Sequence, residues 1–461
     1  MGVVTALFDQ STYNLEEAFR ATDRTTEPMK AAIRDWFNLY FQQTPTKEED
    51  PCQRIPLTII NKLDKTAFCE YKASSKDLFA ADILASLDQC KGEALQMALI
   101  GGECLLKPVP PVKGGMWSWT VVPRSNYLVF GRDRAGRLID VGTVERTCDA
   151  KSYYTLAERR TVDGKGYLTI RNKLFRSDRQ GALGVPVSLA TLPQYAELPQ
   201  EYTYPTPVGS VGMVTMRTPM ANCVDGSHDG VSVYASAVGL IHNINRNEAQ
   251  LNTEFEHGKS RLIVSADMLT RDRDGRRRFA SEVGVYVGMD GDPTEVGVTI
   301  FSPTLREQSF LARKQEYLRN VESVIGLKRG LLSEVEAQER TAKEITSSEG
   351  DYNLTIIAFQ QMWEDAVREA VKLCGVLGQL YKVAGAHEVQ NEDIVLDWGN
   401  GVLYDEEKTW ADYLDLVSRH MLKPEIALGW RFGMPTETEA DLQKIRERFM
   451  PEIRQMLEDG E

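Results

Sequence analysis

Hydrophobic positions recur every three to four residues through much of the first hundred. Ile33, Trp36, Phe37, Tyr40 and Phe41 fall at that spacing and predict a helix over 28–42. The Pro-flanked polar run TPTKEEDPCQ after it reads as a loop. Residues 55–71, IPLTIINKLDKTAFCEY, are apolar enough for a buried helix or a buried strand. A further helix is predicted over 76–99, with Leu84, Leu87, Leu95 and Leu99 on its apolar side. From Gly101 the period shortens. CLLKPVPPV, MWSWTVVP, NYLVFGRD, RLIDVGTVERT and GYLTIRNKLF are β-branched or aromatic runs bounded by turn-forming residues. GRDRAGR and VDGKG read as hairpin turns. Residues 178–230, rich in Pro, Gly and Ser, predict a long irregular excursion.

The second half is mostly helical. Over 232–257, Ala237, Leu240, Ile241, Ile244, Leu251 and Phe255 form one stripe, on a helix of about 39 Å. KSRLIVSADML and EVGVYVGMD follow as strand-like runs separated by TRDRDGRRRFAS. Pro303 stands where the next helix would begin, a favoured place for proline. Leu311, Leu318 and Ile325 recur along that helix, with Tyr317 and Val321 alongside. The segment GLKRGLLSEVEAQ breaks the pattern. A very long helical stretch follows over 339–381, carried by Ile345, Tyr352, Ile356, Phe359, Trp363, Ala366, Ala370, Leu373 and Leu377. Gly350 is the place for a kink or an interruption. EDIVLDW reads as a strand, and KTWADYLDLVSRHM and TEADLQKIRERFM as two further helices separated by a turn at Gly433. There is no internal repeat.

A chain of 461 residues suggests two to four domain-sized pieces. Its hydrophobic content of 42% is that of an ordinary globular protein able to bury a core. The formal charge of -13 is opposite to that of a protein that grips nucleic acid by neutralising phosphates. If this chain meets DNA, it guides rather than holds it. Cys52, Cys69, Cys90, Cys104, Cys148, Cys223 and Cys374 are scattered without a CxxC pair, so neither a disulfide framework nor a zinc site is expected. The N-terminus carries no signal-peptide core, MGVVTA departs from the myristoylation pattern, and no run of about twenty apolar residues would cross a membrane.

The sequence carries no GxxxxGK[ST] phosphate loop, no GxSxG elbow and no HExxH. The isolated GSVG at 209–212 falls far short of a dinucleotide fingerprint. Among His228, His242, His257, His387 and His420, only His228 has neighbours at metal-ligand spacing, Asp225 and Asp229. The simpler reading of those residues is a polar loop, with Asp229 helping to cap the helix that follows. Adjacent acids such as Glu16 and Glu17 point apart on a helix and are solvated faces rather than acid-base dyads. No catalytic, cofactor-binding or metal-binding residue is therefore assigned, and an enzyme is not expected.

The order of elements is the informative part. Two helices flanking a small β excursion can run antiparallel and project it from one end. The basic turn with Arg271, Arg273, Arg276, Arg277 and Arg278, interleaved with Asp272 and Asp274, is either an ordinary solvated hairpin or a docking edge for a partner of complementary charge. The long helix, roughly 60 Å if unbroken, needs a partner surface along most of its run. Neighbouring copies closing into a ring would supply one, and a coiled-coil scaffold would account for the length equally well.

Several segments carry a resemblance: IPLTIINKLDKTAFCEY; GEALQMALIGGECLLKP followed by WTVVPRSNYLVFGRDRAGRLIDVGTVER; DGVSVYASAVGLIHNINRNEAQLNTEFEHGKSRLIV; and VIGLKRGLLSEVEAQERTAKEITSSEGDYNLTI. In this order they resemble the portal proteins of tailed phages, particularly the family of long-tailed phages of Gram-positive hosts. The resemblance implies an α+β portal fold. Residues 1–230 would be an α/β wing, 231–258 the first stem helix, 259–302 a small β-containing clip and 303–325 the second stem helix. Residues 326–338 would be the tunnel loop and 339–381 the long helix. Residues 382–461 would be a wing return strand and C-terminal helices, placed where a crown would be.

It also implies a dodecameric ring at one vertex of the virion, assembled in the host cytoplasm, used for packaging, retaining and ejecting double-stranded DNA without reading its sequence. Lys328 and Arg329 of the tunnel loop would touch the DNA backbone transiently or pair with Glu334, Glu336 or Glu339. The clip arginines would face the terminase large subunit and later a head-tail adaptor. The major capsid protein and scaffolding protein would meet the wing. No cofactor and no membrane are implied. Another head-tail or minor capsid protein is the nearest alternative, and a soluble α/β enzyme a more distant one.

Overall fold

The computed structural model describes residues 11–41, 51–111, 115–149, 151–258, 261–264, 269–271, 277–279, 298–301, 304–334, 342–399, 406–436 and 438–450. The chain divides into two units, one of residues 1–67 and 73–395, the other of 68–72 and 396–461.

The first unit opens with α1 (Ser11–Phe19), α2 (Glu27–Phe41) and α3 (Ile55–Ala67). On α2 the periodic residues Ile33, Trp36 and Phe37 are buried as expected, and Met29 and Leu39 join them. The ambiguous run at 55–71 is helical through Ala67. Pro56 lies in its first turn, where no backbone N–H is needed, and Ile59, Ile60 and Leu63 are fully buried. After β1 (Lys72–Ser75), α4 (Leu78–Gly101) starts where the Asp77 carboxylate accepts the Ala80 N–H at 2.8 Å. It is buried on most of its circumference, against α2, α3 and the strands that follow.

Those strands are β2 (Glu103–Val109), β3 (Ser118–Pro123), β4 (Tyr127–Arg132), β5 (Leu138–Cys148), β6 (Tyr153–Val162), β7 (Leu168–Ser177), β8 (Val185–Val187), β9 (Glu201–Thr203) and β10 (Val214–Arg217). They form a three-stranded sheet, β10–β2–β3, and a six-stranded sheet, β4–β5–β6–β7–β8 with β9 also on β7. Both expected hairpin turns use one device. Asp133 Oδ1 accepts the N–H groups of Ala135 and Arg137, and Asp163 Oδ1 those of Lys165 and Tyr167. The expected irregular excursion at 178–230 is instead productive: β8 and β9 extend one sheet, and β10 pairs with β2 to complete the other.

β6 lies in the middle of the larger sheet, yet the apolar pattern does not reveal it. Its polar residues are buried as ion pairs, so alternation is lost. Glu158 accepts Arg160 Nε at 2.7 Å and Lys107 Nζ at 2.8 Å. Burial alone would raise the Glu158 carboxyl, but Arg160 and Lys107 outweigh it and lower it from 4.5 to about 2. Because the folded chain binds this proton less readily than the unfolded chain, the contribution is complete above pH 4.5 and lost as pH falls toward 2. It is worth about 3 kcal/mol. Denaturant titrations between pH 6 and about 2.5 should show Glu158→Gln losing less stability than the unmodified chain; equal losses would refute this pairing.

Next come α5 (Val238–His257), β11 (Arg261–Val264), β12 (Leu269–Arg271), β13 (Arg277–Phe279), β14 (Val298–Phe301), α6 (Glu307–Ile325) and α7 (Ala342–Leu380). α7 runs 39 residues without a break at Gly350. From Ile356 onward Phe359, Trp363, Ala366, Ala370 and Cys374 are buried, packed on α3, α4 and β10. From Tyr352 to Leu377 the partner surface that the helix needs is supplied by its own chain. β15 (Ile394–Asp397) pairs with β1.

In the second unit, Trp398 stacks on Phe68 and lies 4.5 Å from Tyr71. α8 (Glu406–Ser418), α9 (Pro424–Arg431) and α10 (Glu439–Phe449) make three described helices where two were expected. The additional one, α9, starts on a favourable N-terminal proline. Arg446 holds the buried Glu425 at 2.7 Å.

Candidate channel and docking elements

α5 and α6 form an antiparallel hairpin, because contacts that climb one helix descend the other. Glu248 pairs with Lys314 at 2.9 Å, and Glu254 further along α5 pairs with Arg306 nearer the start of α6 at 2.7 Å. Asn247, next to Glu248, donates to the Phe310 carbonyl. Both helices are shorter than expected: α5 begins at Val238 after a 3₁₀ turn at 235–237, and α6 at Glu307. Pro303 lies outside the described residues. Ile241, Ile244, Leu251, Leu318, Val321 and Ile325 are buried, whereas Phe255 and Leu311, at the end that leads into β11 and β14, are exposed. One flank of the hairpin carries a groove of about 430 Å³ with Arg246, Arg306 and Arg313 among its lining residues. Arg313 lies 4.4 Å above the Tyr317 ring.

The β excursion sits between these helices in sequence. The run KSRLIVSADML supplies β11 and the start of β12, and β11 pairs with β14; EVGVYVGMD lies outside the described residues. β12 and β13 form a small antiparallel pair with Arg271 opposite Arg277 and Thr270 opposite Arg278. Three of the five arginines are thus on two paired strands. Arg273 and Arg276 fall outside the described residues.

Beyond α6 the segment proposed as a loop is built, not loose, over its described part. Gly326, at φ 78°, ends the helix, and the Leu327 N–H donates back to the Glu322 carbonyl. Leu331 N–H donates to Lys328 C=O across a turn whose third residue, Gly330, has the positive φ (91°) that a type II turn needs. Lys328 and Arg329 are exposed at the first two positions of that turn. Glu334 donates its N–H to Gln315; Glu336 and Glu339 lie outside the described residues.

The residues around His228 form a polar loop, as the simpler reading has it, but Asp229 has another role than capping. Asp229 holds Arg132 at 2.7 Å, and Asp225 accepts from Thr26, Asn222 and Ser227. Asp229 does not cap α5, which starts nine positions later. His242 faces Asp35, and His387 faces Asp77. Among the described residues no group of His, Cys, Asp and Glu could hold a metal ion, and no helix is long and apolar enough to cross a membrane.

Asp229 belongs to a buried polar network that the sequence reading missed. Arg124 and Glu103 are both fully buried. Arg124 Nε lies 3.3 Å from Glu103, while Arg132 Nη2 and Tyr127 Oη both donate to the same Glu103 oxygen at 2.7 Å. Arg124 also donates to Thr25 and to the Tyr127 carbonyl. Burial favours the neutral Glu103, but Arg132 and Arg124 outweigh it and hold the carboxyl below its ordinary range. The available signal was a single charge inside each of two apolar runs, GGECLL and VVPRSNYLV.

No protein-family profile and no curated protein matches the sequence. Three solved structures that the chain resembles come from gene transfer agent particles. One is the virion of the native particle, 13% identical over 87% of this chain and 93% of that one, with a TM-score of 0.44. Another is the neck of the native particle computed with C12 symmetry, 13% identical over 87% and 93%, at 0.42. A third is the neck of the empty particle computed with C6 symmetry, 13% identical over 91% and 98%, at 0.47.

Proposed function

We propose that this chain is a portal subunit of a tailed phage or phage-like particle, one copy in a ring around a DNA channel. The observation that carries the proposal is the α5–α6 hairpin: two antiparallel helices with the β11–β14 strands inserted between them, followed at once by a fixed basic turn and a 39-residue helix. In this reading residues 1–230 are the wing and 231–258 and 303–325 the stem. Residues 259–302 form the clip, 326–338 the tunnel loop and 339–381 the long helix. Residues 382–461 return a strand to the wing and end in helices.

Lys328 and Arg329 meet passing DNA, and the clip arginines meet terminase and then an adaptor. Capsid and scaffolding proteins contact the wing. The net charge of -13 suits a channel through which DNA must slide, since each retained phosphate contact adds salt-dependent affinity. ATP hydrolysis is left to the terminase, in keeping with a sequence that has no phosphate loop.

Negative-stain electron microscopy with native mass spectrometry of the purified protein tests this. Closed rings of about a dozen subunits around a central hole are expected. A monomer at every concentration, also in the presence of scaffolding protein, would count against the portal and favour another head-tail component.

A further inference from the structure

Glu322 is a charged residue in the last turn of α6, yet it is only 1% exposed. Its carboxylate is satisfied by the chain that follows the helix. Oε1 accepts the N–H groups of Leu332 at 2.5 Å and Ser333 at 2.8 Å, and Oε2 accepts the Gly330 N–H at 3.2 Å and the Ser333 hydroxyl at 2.8 Å. Three backbone amides and a hydroxyl thus converge on one side chain, an anion receptor whose anion is supplied by the chain itself. Residues 326–333 are folded back onto the last turns of α6, with Leu327 buried as a second anchor. The part left outward is the corner holding Lys328 and Arg329.

Both cations are therefore presented on a rigid turn. A flexible loop would let their long side chains average over many positions and would lose the entropy of ordering them at each contact.

We propose that Glu322 is the positioning residue for the Lys328–Arg329 turn, fixing where these two cations meet the phosphate backbone of passing DNA. This rests on the portal reading. Glu322→Gln is nearly isosteric, but it turns an amide NH₂ toward groups that are themselves donors, so the receptor is broken while the helix is kept. Ser333→Ala is the milder companion, removing one donor and leaving the carboxylate.

The test uses full-length rings. Hydrogen exchange at the amides of 330–333 should accelerate about tenfold to a hundredfold in Glu322→Gln, the size set by losing hydrogen bonds to a charged acceptor, and less in Ser333→Ala. The dwell time of linear double-stranded DNA threaded through a ring held in a nanopore should fall in Glu322→Gln by about the factor seen for Arg329→Ala. The double substitution should fall no further, since both remove one contact. A merely structural role would lower the melting temperature without this non-additivity. Unchanged exchange, dwell times that combine independently, or Lys328→Ala and Arg329→Ala without effect on dwell each overturn the assignment. Absence of rings from the unsubstituted chain would sink the portal reading itself, before any variant is compared.

Discussion

Arg124→Met should destabilise the first unit by about 3–5 kcal/mol, the range for removing one member of a buried ion pair. Arg124 has no exposed surface, and its guanidinium reaches Glu103, Thr25 and the Tyr127 carbonyl. Methionine matches much of the aliphatic volume but supplies no donor, so the buried Glu103 keeps only Arg132 and Tyr127. Thr25 and the Tyr127 carbonyl would lose a partner where water does not reach. The network ties the α1–α2 connection, β2, β4 and the loop before α5 together, so the loss should be felt across the unit rather than at one strand. The control is Arg137→Ala, which removes an exposed pair with Asp133 and should cost well under about 1 kcal/mol. Guanidinium unfolding followed by tryptophan fluorescence reads both. Equal midpoints for the two variants would mean that the network does not hold the unit together.

Gly102→Ala should have at least as large an effect, for a steric rather than an electrostatic reason. Gly102 closes α4 at φ 82°, and a Cβ built there would lie 2.3 Å from the Gly230 carbonyl carbon and oxygen. The contact is reciprocal, since a Cβ on Gly230 would lie 2.2 Å from the Gly102 oxygen. Two backbones touch here, and no rotamer change can relieve the clash. Hydrogen bonds on either side, from Thr218 N–H to Gly102 and from Val233 N–H to Leu99, stop the segments from drifting apart. A cost of about 4 kcal/mol or more is expected, seen as loss of soluble protein or a large fall in melting temperature. Gly226→Ala separates the two causes: it too has positive φ, at 69°, but an added Cβ meets nothing within 4 Å. It should lose only the left-handed penalty of about 1 kcal/mol. If Gly102→Ala melts with Gly226→Ala, the close approach is not a constraint.

The parts of this protein legible in its sequence are those whose causes are local. A 3.6-residue apolar period sufficed for α2, α4 and the long α7, and Asp followed by Gly placed the turns at 133–137 and 163–167. The order helix, β excursion, helix, break, long helix could also be read directly. What only the tertiary structure decided is which distant groups meet. β6 was hidden because Glu158, Arg159 and Arg160 look like a polar or helical stretch until Lys107 and Asp140, from other strands, neutralise them. β10 returns from a Pro- and Gly-rich segment to pair with β2 about a hundred residues earlier. β11 takes as its partner β14, well beyond it in the chain. Glu322 in a last helical turn reads as one more solvated acid, and only the path of the following chain turns it into an anchor. Periodicity records how one element divides its faces between core and water. Pairing, the neutralisation of buried charge and the close contact of two backbones depend on the far side of the fold, which no window of neighbouring residues contains.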